Sequence, residues 1–174
     1  MEDFEEFYNK ALRFLSYRPR SEKEVLDYLV RHSEEEERRN ARDSGHGQND
    51  EIELIIDKVI SKLKEQKFVN DEEFTKWWIE QRTTFKPRSL RVIKIELKQK
   101  GISNEIIESG IRNQESGIEN DLQRAKKLIE KRIDRVKGLT KQEIYQKLGR
   151  HLASKGFDWE TIKQSIDELV FNRV

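Results

Sequence analysis

The chain of 174 residues is predicted to be all-α, with three tandem three-helix modules forming an elongated, curved helical-repeat array. Three observations lead there. Apolar residues recur with the helical period from end to end. Capping signals punctuate them at regular intervals. The phrase PRSEKEVLDYL at residues 19–29 returns as PRSLRVIKIEL at 87–97. Composition agrees: 40% of residues are charged and 34% apolar, too few apolar groups for one large core but enough for several small ones. With 2 prolines and 8 glycines, and abundant Leu, Ile, Lys and Glu, the local bias is helical.

The first helix carries Phe7, Leu12 and Leu15. Ser21 with Glu24 reads as a capping box opening the second, whose apolar residues are Val25, Leu26 and Leu29. SEEEERRNARDSGHGQND at 33–50 lacks aliphatic and aromatic residues, so it is expected to be a mobile polar insertion, with helical stubs from EEEERR. Asp50 with Glu53 is the next expected cap, followed by Ile55, Ile56, Val59, Ile60 and Leu63. These elements make a first module, residues 1–69.

The second module, 70–116, opens on Asn70 with Glu73 and runs through Phe74, Trp77, Trp78 and Ile79. Ser89 caps a helix with Val92, Ile93, Ile95 and Leu97; VIKIEL could alternate as a strand, but its phase matches VLDYL and its flanks favour a helix. Gly101 stops that helix and Ser103 starts the next, which carries Ile106, Ile107 and Ile111. The third module, 117–174, has Leu122, Ala125, Leu128 and Ile129, then Thr140 with Glu143 before Ile144, Leu148 and Leu152. Gly156 ends that helix, and Asp158 caps a last one with Ile162, Ile166, Leu169 and Val170. Lys155-Gly156-Phe157 answers Lys100-Gly101-Ile102. Trp159 is expected in the core. A module this short buries little alone and must lean on its neighbour.

The absence of cysteine excludes disulfides, thiolate catalysis and Cys-based zinc sites. A cytoplasmic location suits it. The acidic start MEDFEEFYNK lacks the features of a secretory signal, and no stretch is apolar enough to span a bilayer. His32, His46 and His151 have no partners at metal-ligand spacing, and no nucleotide-loop or hydrolase motif occurs. No catalytic residue, metal or cofactor is expected, and the chain is not read as an enzyme.

Charge is uneven: residues 121–174 hold 13 basic against 8 acidic side chains, residues 1–70 the reverse bias of 13 against 17. Two basic sets stand out. Arg82, Lys86, Arg88, Arg91, Lys94, Lys98 and Lys100 surround the fifth helix, and Arg91, Lys94 and Lys98 form a stripe at i, i+3 and i+7. Arg124, Lys127, Lys131, Arg132, Arg135 and Lys137 lie along the seventh. Either set fits phosphates or an acidic protein groove as well as a solvated helix face. Trp77 and Trp78 cannot share a helix face; Trp77 either packs at a module boundary or stacks on a partner.

ALRFLSYRPRSEKEVLDYL at 11–29, NDEEFTKWWIEQR at 70–82, LKQKGISNEIIESGI at 97–111 and YQKLGRHLASKGFDWETIKQSI at 145–166 together resemble the RecX family of bacterial recombinase regulators. The family's first-module pattern is met by Ala11, Leu12, Arg18, Ser21, Glu24 and Val25. Its second is met by Asn70, Asp71, Phe74, Trp78 and Arg82, its third by Leu152, Gly156, Phe157 and Ile162. The insertion at 33–50 and Thr75, where the family often has Ala, depart from it. The resemblance implies a monomeric, non-enzymatic modulator in DNA repair and the SOS response. Such a protein would bind the RecA recombinase filament, with single-stranded DNA contacted directly or through it, and would mainly inhibit recombinase, ATPase and coprotease activity. A helical module that grips nucleic-acid phosphates without a recombinase is the alternative, and a helical-repeat adaptor for another protein a third.

Overall fold

A computed structural model of the chain describes residues 2–40, 49–114 and 120–171. Among them are α-helices, short π and 3-10 turns, and no strand. The helices are α1 (Glu2–Leu15), α2 (Glu22–Asn40), α3 (Asn49–Glu65), α4 (Asp71–Glu80), α5 (Leu90–Gln99), α6 (Asn104–Gln114), α7 (Asp121–Glu130), α8 (Lys141–Ala153) and α9 (Trp159–Ile166). VIKIEL lies wholly within α5. The chain falls into two compact units: Met1–Thr75 with Gln99–Ile106, and Lys76–Lys98 with Ile107–Val174.

In the first unit, α1, α2 and α3 pack pairwise. One face of each closes the core: Phe7 and Ala11 from α1, Val25 and Leu29 from α2, and Ile56, Val59, Ile60 and Leu63 from α3, with Val69 beneath. Each large aliphatic side chain buried there contributes roughly 1.5–3 kcal/mol relative to exposure. Phe14 stacks on Tyr28 with ring centroids 4.2 Å apart, and the Arg20 guanidinium covers Phe14 at 3.9 Å. Two expectations change here. The helical stub expected from EEEERR is present, but as a continuation of α2 to Asn40 rather than as part of a mobile loop, and Arg38 pairs with Glu34 one turn earlier. Residues 41–48, the rest of that insertion with His46, lie outside the described residues. Asp50 is inside α3, which begins at Asn49, so it is not the cap.

In the second unit, α9 packs on α7 and α8. Ala125, Leu128 and Ile129 meet Ile144, Leu148 and Leu152 across Phe157, Ile162 and Ile166, with Val136 from the 3-10 turn Ile133–Val136. Thr140 and Glu143 form the full reciprocal capping box. Asn120 caps α7 by accepting from Gln123 N at 2.9 Å, a cap the sequence reading passed over. Trp159 is not core: it is 65% exposed, its ring beside Tyr145 at 6.2 Å. The inward face of α9 is set by Ile162 and Ile166, and Trp159 at the first helical position lies off that line.

The recurring PRS phrase has a structural use. Ser21 is fully buried; its Oγ donates to Lys100 O at 2.7 Å and accepts from Glu24 N at 3.2 Å. Beside it, Glu22 N donates to Asp71 Oδ1 at 2.9 Å. In the second unit Ser89 Oγ donates to Gly156 O at 2.7 Å, Ser89 N to Lys155 O at 3.1 Å, and Leu90 N to Asp121 Oδ1 at 3.1 Å. The same joint is thus built twice: a serine at the start of a second helix seats on a glycine turn of the following repeat, and an aspartate there takes the next backbone N–H. Both turns need glycine. Gly101 has φ +82°, Gly156 φ +88°, and a Cβ on Gly156 would lie 2.1 Å from Val92 Cγ2.

Candidate functional site

Helix α5 buries Ile93 and Leu97. That choice of face turns Arg91 and Lys98 outward, with Ile95 46% exposed between them. Lys94, partly exposed, donates to Glu108 Oε1 at 2.7 Å. That hydrogen bond first, then the charges of Lys94, Arg112 and Lys98, hold the Glu108 carboxyl below its ordinary value. Arg112 therefore joins the α5 stripe from α6, a member the sequence reading missed; its signal was the i, i+4 spacing from Glu108. One carboxylate among Lys94, Lys98 and Arg112, with Arg91 exposed on the same helix, leaves a positive surface that Ile95 flanks with an exposed apolar side chain.

Other expected cations have different work. Arg82 Nε donates to Glu96 Oε2 at 2.7 Å, and its guanidinium lies 4.4 Å over the Trp78 ring, whose Nε1 donates to the same oxygen at 3.0 Å. Arg82 is thereby committed to Trp78 and Glu96. Trp78 is 8% exposed and Trp77 partly buried, their ring centroids 5.9 Å apart. Arg124 leaves the surface set altogether: it is 1% exposed and pairs with Asp121 one turn earlier. Its aliphatic stem lies among the buried residues of α7, and Asp121 neutralises its head.

A second group gathers at the C-terminal end of α8. Arg88 Nη1 donates to Ser154 O at 3.0 Å. Burial first, then the charges of Arg132 and Lys155, hold the His151 imidazole below its ordinary value. Lys131 is exposed and Arg132 half-buried. In the sequence His151 stands out only as lacking metal-ligand partners, and Lys155 only as preceding the glycine that answers Gly101. Among the described residues no group of His, Cys, Asp and Glu could hold a metal ion, and no helix is long and apolar enough to cross a membrane.

The first joint carries its own electrostatics. Glu24 receives Arg18 Nη2 at 2.8 Å and Lys100 Nζ at 2.6 Å. Burial works to raise the Glu24 carboxyl, but the hydrogen bonds and charges of Arg18 and Lys100 overcome it and hold the group at about 2.

Three family descriptions match this chain in order: "RecX, first three-helix domain" over residues 8–38, "second three-helix domain" over 70–111 and "third three-helix domain" over 119–166. Among curated relatives, the Regulatory protein RecX of Bacillus pumilus is 32% identical over 92% of this chain and 54% of that relative. The chain spans about half the length of several such relatives. The Regulatory protein RecX of Prosthecochloris aestuarii is 30% identical over 94% of this chain and 93% of its own length. The crystal structure of RecX from Lactobacillus salivarius aligns over 97% of both chains with a TM-score of 0.66 and 26% identity. With the ordered domain matches, the recurring joint and the all-helical architecture taken together, the chain belongs to the RecX family.

Proposed function

We propose that this protein is a regulator that binds RecA nucleoprotein filaments and modulates, mainly by inhibition, their recombinase, ATPase and coprotease activity in DNA repair and the SOS response. The observation that carries the reading is the ordered match to three RecX domains across the chain. The proposal places the protein in the cytoplasm, as a non-enzymatic monomer of three modules at 1–69, 70–116 and 117–174. The α5 stripe of Arg91, Lys94 and Lys98, flanked by Ile95 and with Arg112 beside it, is the assigned filament-contact surface. Its charge complements an acidic groove, and Ile95 supplies the apolar contact that charge alone lacks. Binding that favours one arrangement of filament subunits slows the movements that hydrolysis and disassembly require.

The test is single-stranded-DNA-dependent ATP hydrolysis by the cognate RecA as this protein is titrated in. Suppression is expected, and the triple substitution Arg91→Glu, Lys94→Glu, Lys98→Glu is expected to abolish it while helical circular dichroism is retained. A flat titration with folded wild-type protein overturns the recombinase reading. Full suppression by the triple variant moves the contact surface elsewhere.

A further inference from the structure

The basic face of α5 already holds a carboxylate, and it is the protein's own. Glu108 reaches across from α6 and accepts from Lys94 Nζ at 2.7 Å, with 37% of the Lys94 side chain and 51% of the Glu108 side chain open to solvent. Helical spacing extends this pair on both sides. Lys98 stands four residues after Lys94 on α5, and Arg112 four after Glu108 on α6. Both are exposed, as is Arg91 one turn before Lys94. Among the described residues Arg91, Lys98 and Arg112 form no ion pair of their own. Three uncommitted cations thus border one bridge that water reaches from both partners.

An exposed bridge of this kind contributes little to stability, so its members exchange readily. A carboxylate from another protein takes Lys94 from Glu108 at small cost, because one ion pair replaces another and Glu108 returns to water beside Arg112. What favours the exchange is the surroundings that the incoming segment meets. Further carboxylates find Arg91 and Lys98, and an apolar side chain covers Ile95, which is 46% exposed. A phosphate chain would satisfy the cations but has nothing apolar to set against Ile95.

We propose that Glu108 is an internal stand-in for a partner's carboxylate: it occupies Lys94 in the free protein and is displaced when an acidic protein segment with an apolar side chain lies along α5. The proposal rests on the filament-binding reading for the source of that segment. Glu108 then sets the strength of the contact, since every docking carboxylate must first release it.

The experiment measures, by fluorescence anisotropy at low salt, binding of a labelled glutamate-rich peptide with one central leucine to the whole chain. Glu108→Gln is expected to bind it about two- to fivefold tighter, the reach of one exposed ion pair. In a Lys94→Gln background the same change is expected to lose most of that gain, because the cation over which the two carboxylates compete is gone. Glu105→Gln removes an equal charge from an exposed position on the same helix and is expected to change affinity less than half as much. Ile95→Gln is expected to weaken binding of this peptide and not of one with serine in place of the leucine. No binding of the peptide overturns the proposal. So does a gain from Glu108→Gln that persists undiminished without Lys94, or an equal gain from Glu105→Gln, either of which would make Glu108 one negative charge among others. Oligothymidylate bound as tightly as the peptide and with the same dependence on Glu108 overturns it in favour of nucleic acid. The cognate RecA filament is titrated in parallel. The Lys94-dependent gain with the peptide, and no binding to the filament, would sink the recombinase reading and leave the exchange standing; a bound filament without that gain does the reverse.

Discussion

The two serine joints use one backbone plan and opposite electrostatics. At the first, Ser21 seats on Lys100 O, and Arg18 and Lys100 converge on Glu24. At the second, Ser89 seats on Gly156 O, and Val92 stands where Glu24 would be, so that the second joint lacks that carboxylate. Hydrogen bonds from a serine and to an aspartate are common to both and hold the repeat together. The ion cluster is separable from that plan.

The largest effect that breaks this parallel is at the glycines. Gly156→Ala sets a Cβ 2.1 Å from Val92 Cγ2 at φ +88°, and Gly101→Ala sets one 2.6 Å from Lys23 Cβ, an atom held by its backbone, at φ +82°. We expect Gly156→Ala to cost about 3 kcal/mol and Gly101→Ala about 2 kcal/mol, read from urea midpoints. Equal costs would show that backbone conformation, not the clash, dominates.

Acid separates the joints next. A carboxyl held at about 2 in the folded chain against 4.5 ordinarily contributes stability that is fully present above 4.5 and lost as the pH falls toward 2. That contribution is about 2 kcal/mol, because Glu24 is only partly shielded from water. Glu24→Gln should flatten the stability profile over that window, and Val92→Gln should leave it unchanged.

The shared hydrogen bonds come third. Ser21→Ala and Ser89→Ala each leave a carbonyl of a glycine turn without its hydroxyl donor and remove an N-cap acceptor. The cost is about 1.5 kcal/mol apiece, matched within experimental error if the two joints share one backbone plan. Smallest is Val92→Glu, expected to change stability by less than about 0.5 kcal/mol, since Val92 is only half-buried and the new carboxylate lies near cations. A large loss there would mean that Val92 packing, rather than charge, decides the second joint.

Much of this was legible in the sequence. The helical period and the caps at Ser21, Asn70, Ser89, Ser103, Thr140 and Asp158 located the helices, because an N-cap is a local bargain between one side chain and the nearest free backbone N–H. The repeat of Pro-Arg-Ser with a later glycine announced a recurring device, since a left-handed turn restricts residue choice wherever it occurs.

What that serine bonds to, 79 residues away in one joint and 67 in the other, only the tertiary structure decided. It likewise decided that Arg124 turns inward to Asp121, that Trp159 is exposed, and that Arg88 reaches Ser154 O. Helical period assigns a side chain to a face, but the neighbour that face meets is set by packing between distant segments. Charge therefore reads as surface in sequence until the structure shows which cations have found a carboxylate.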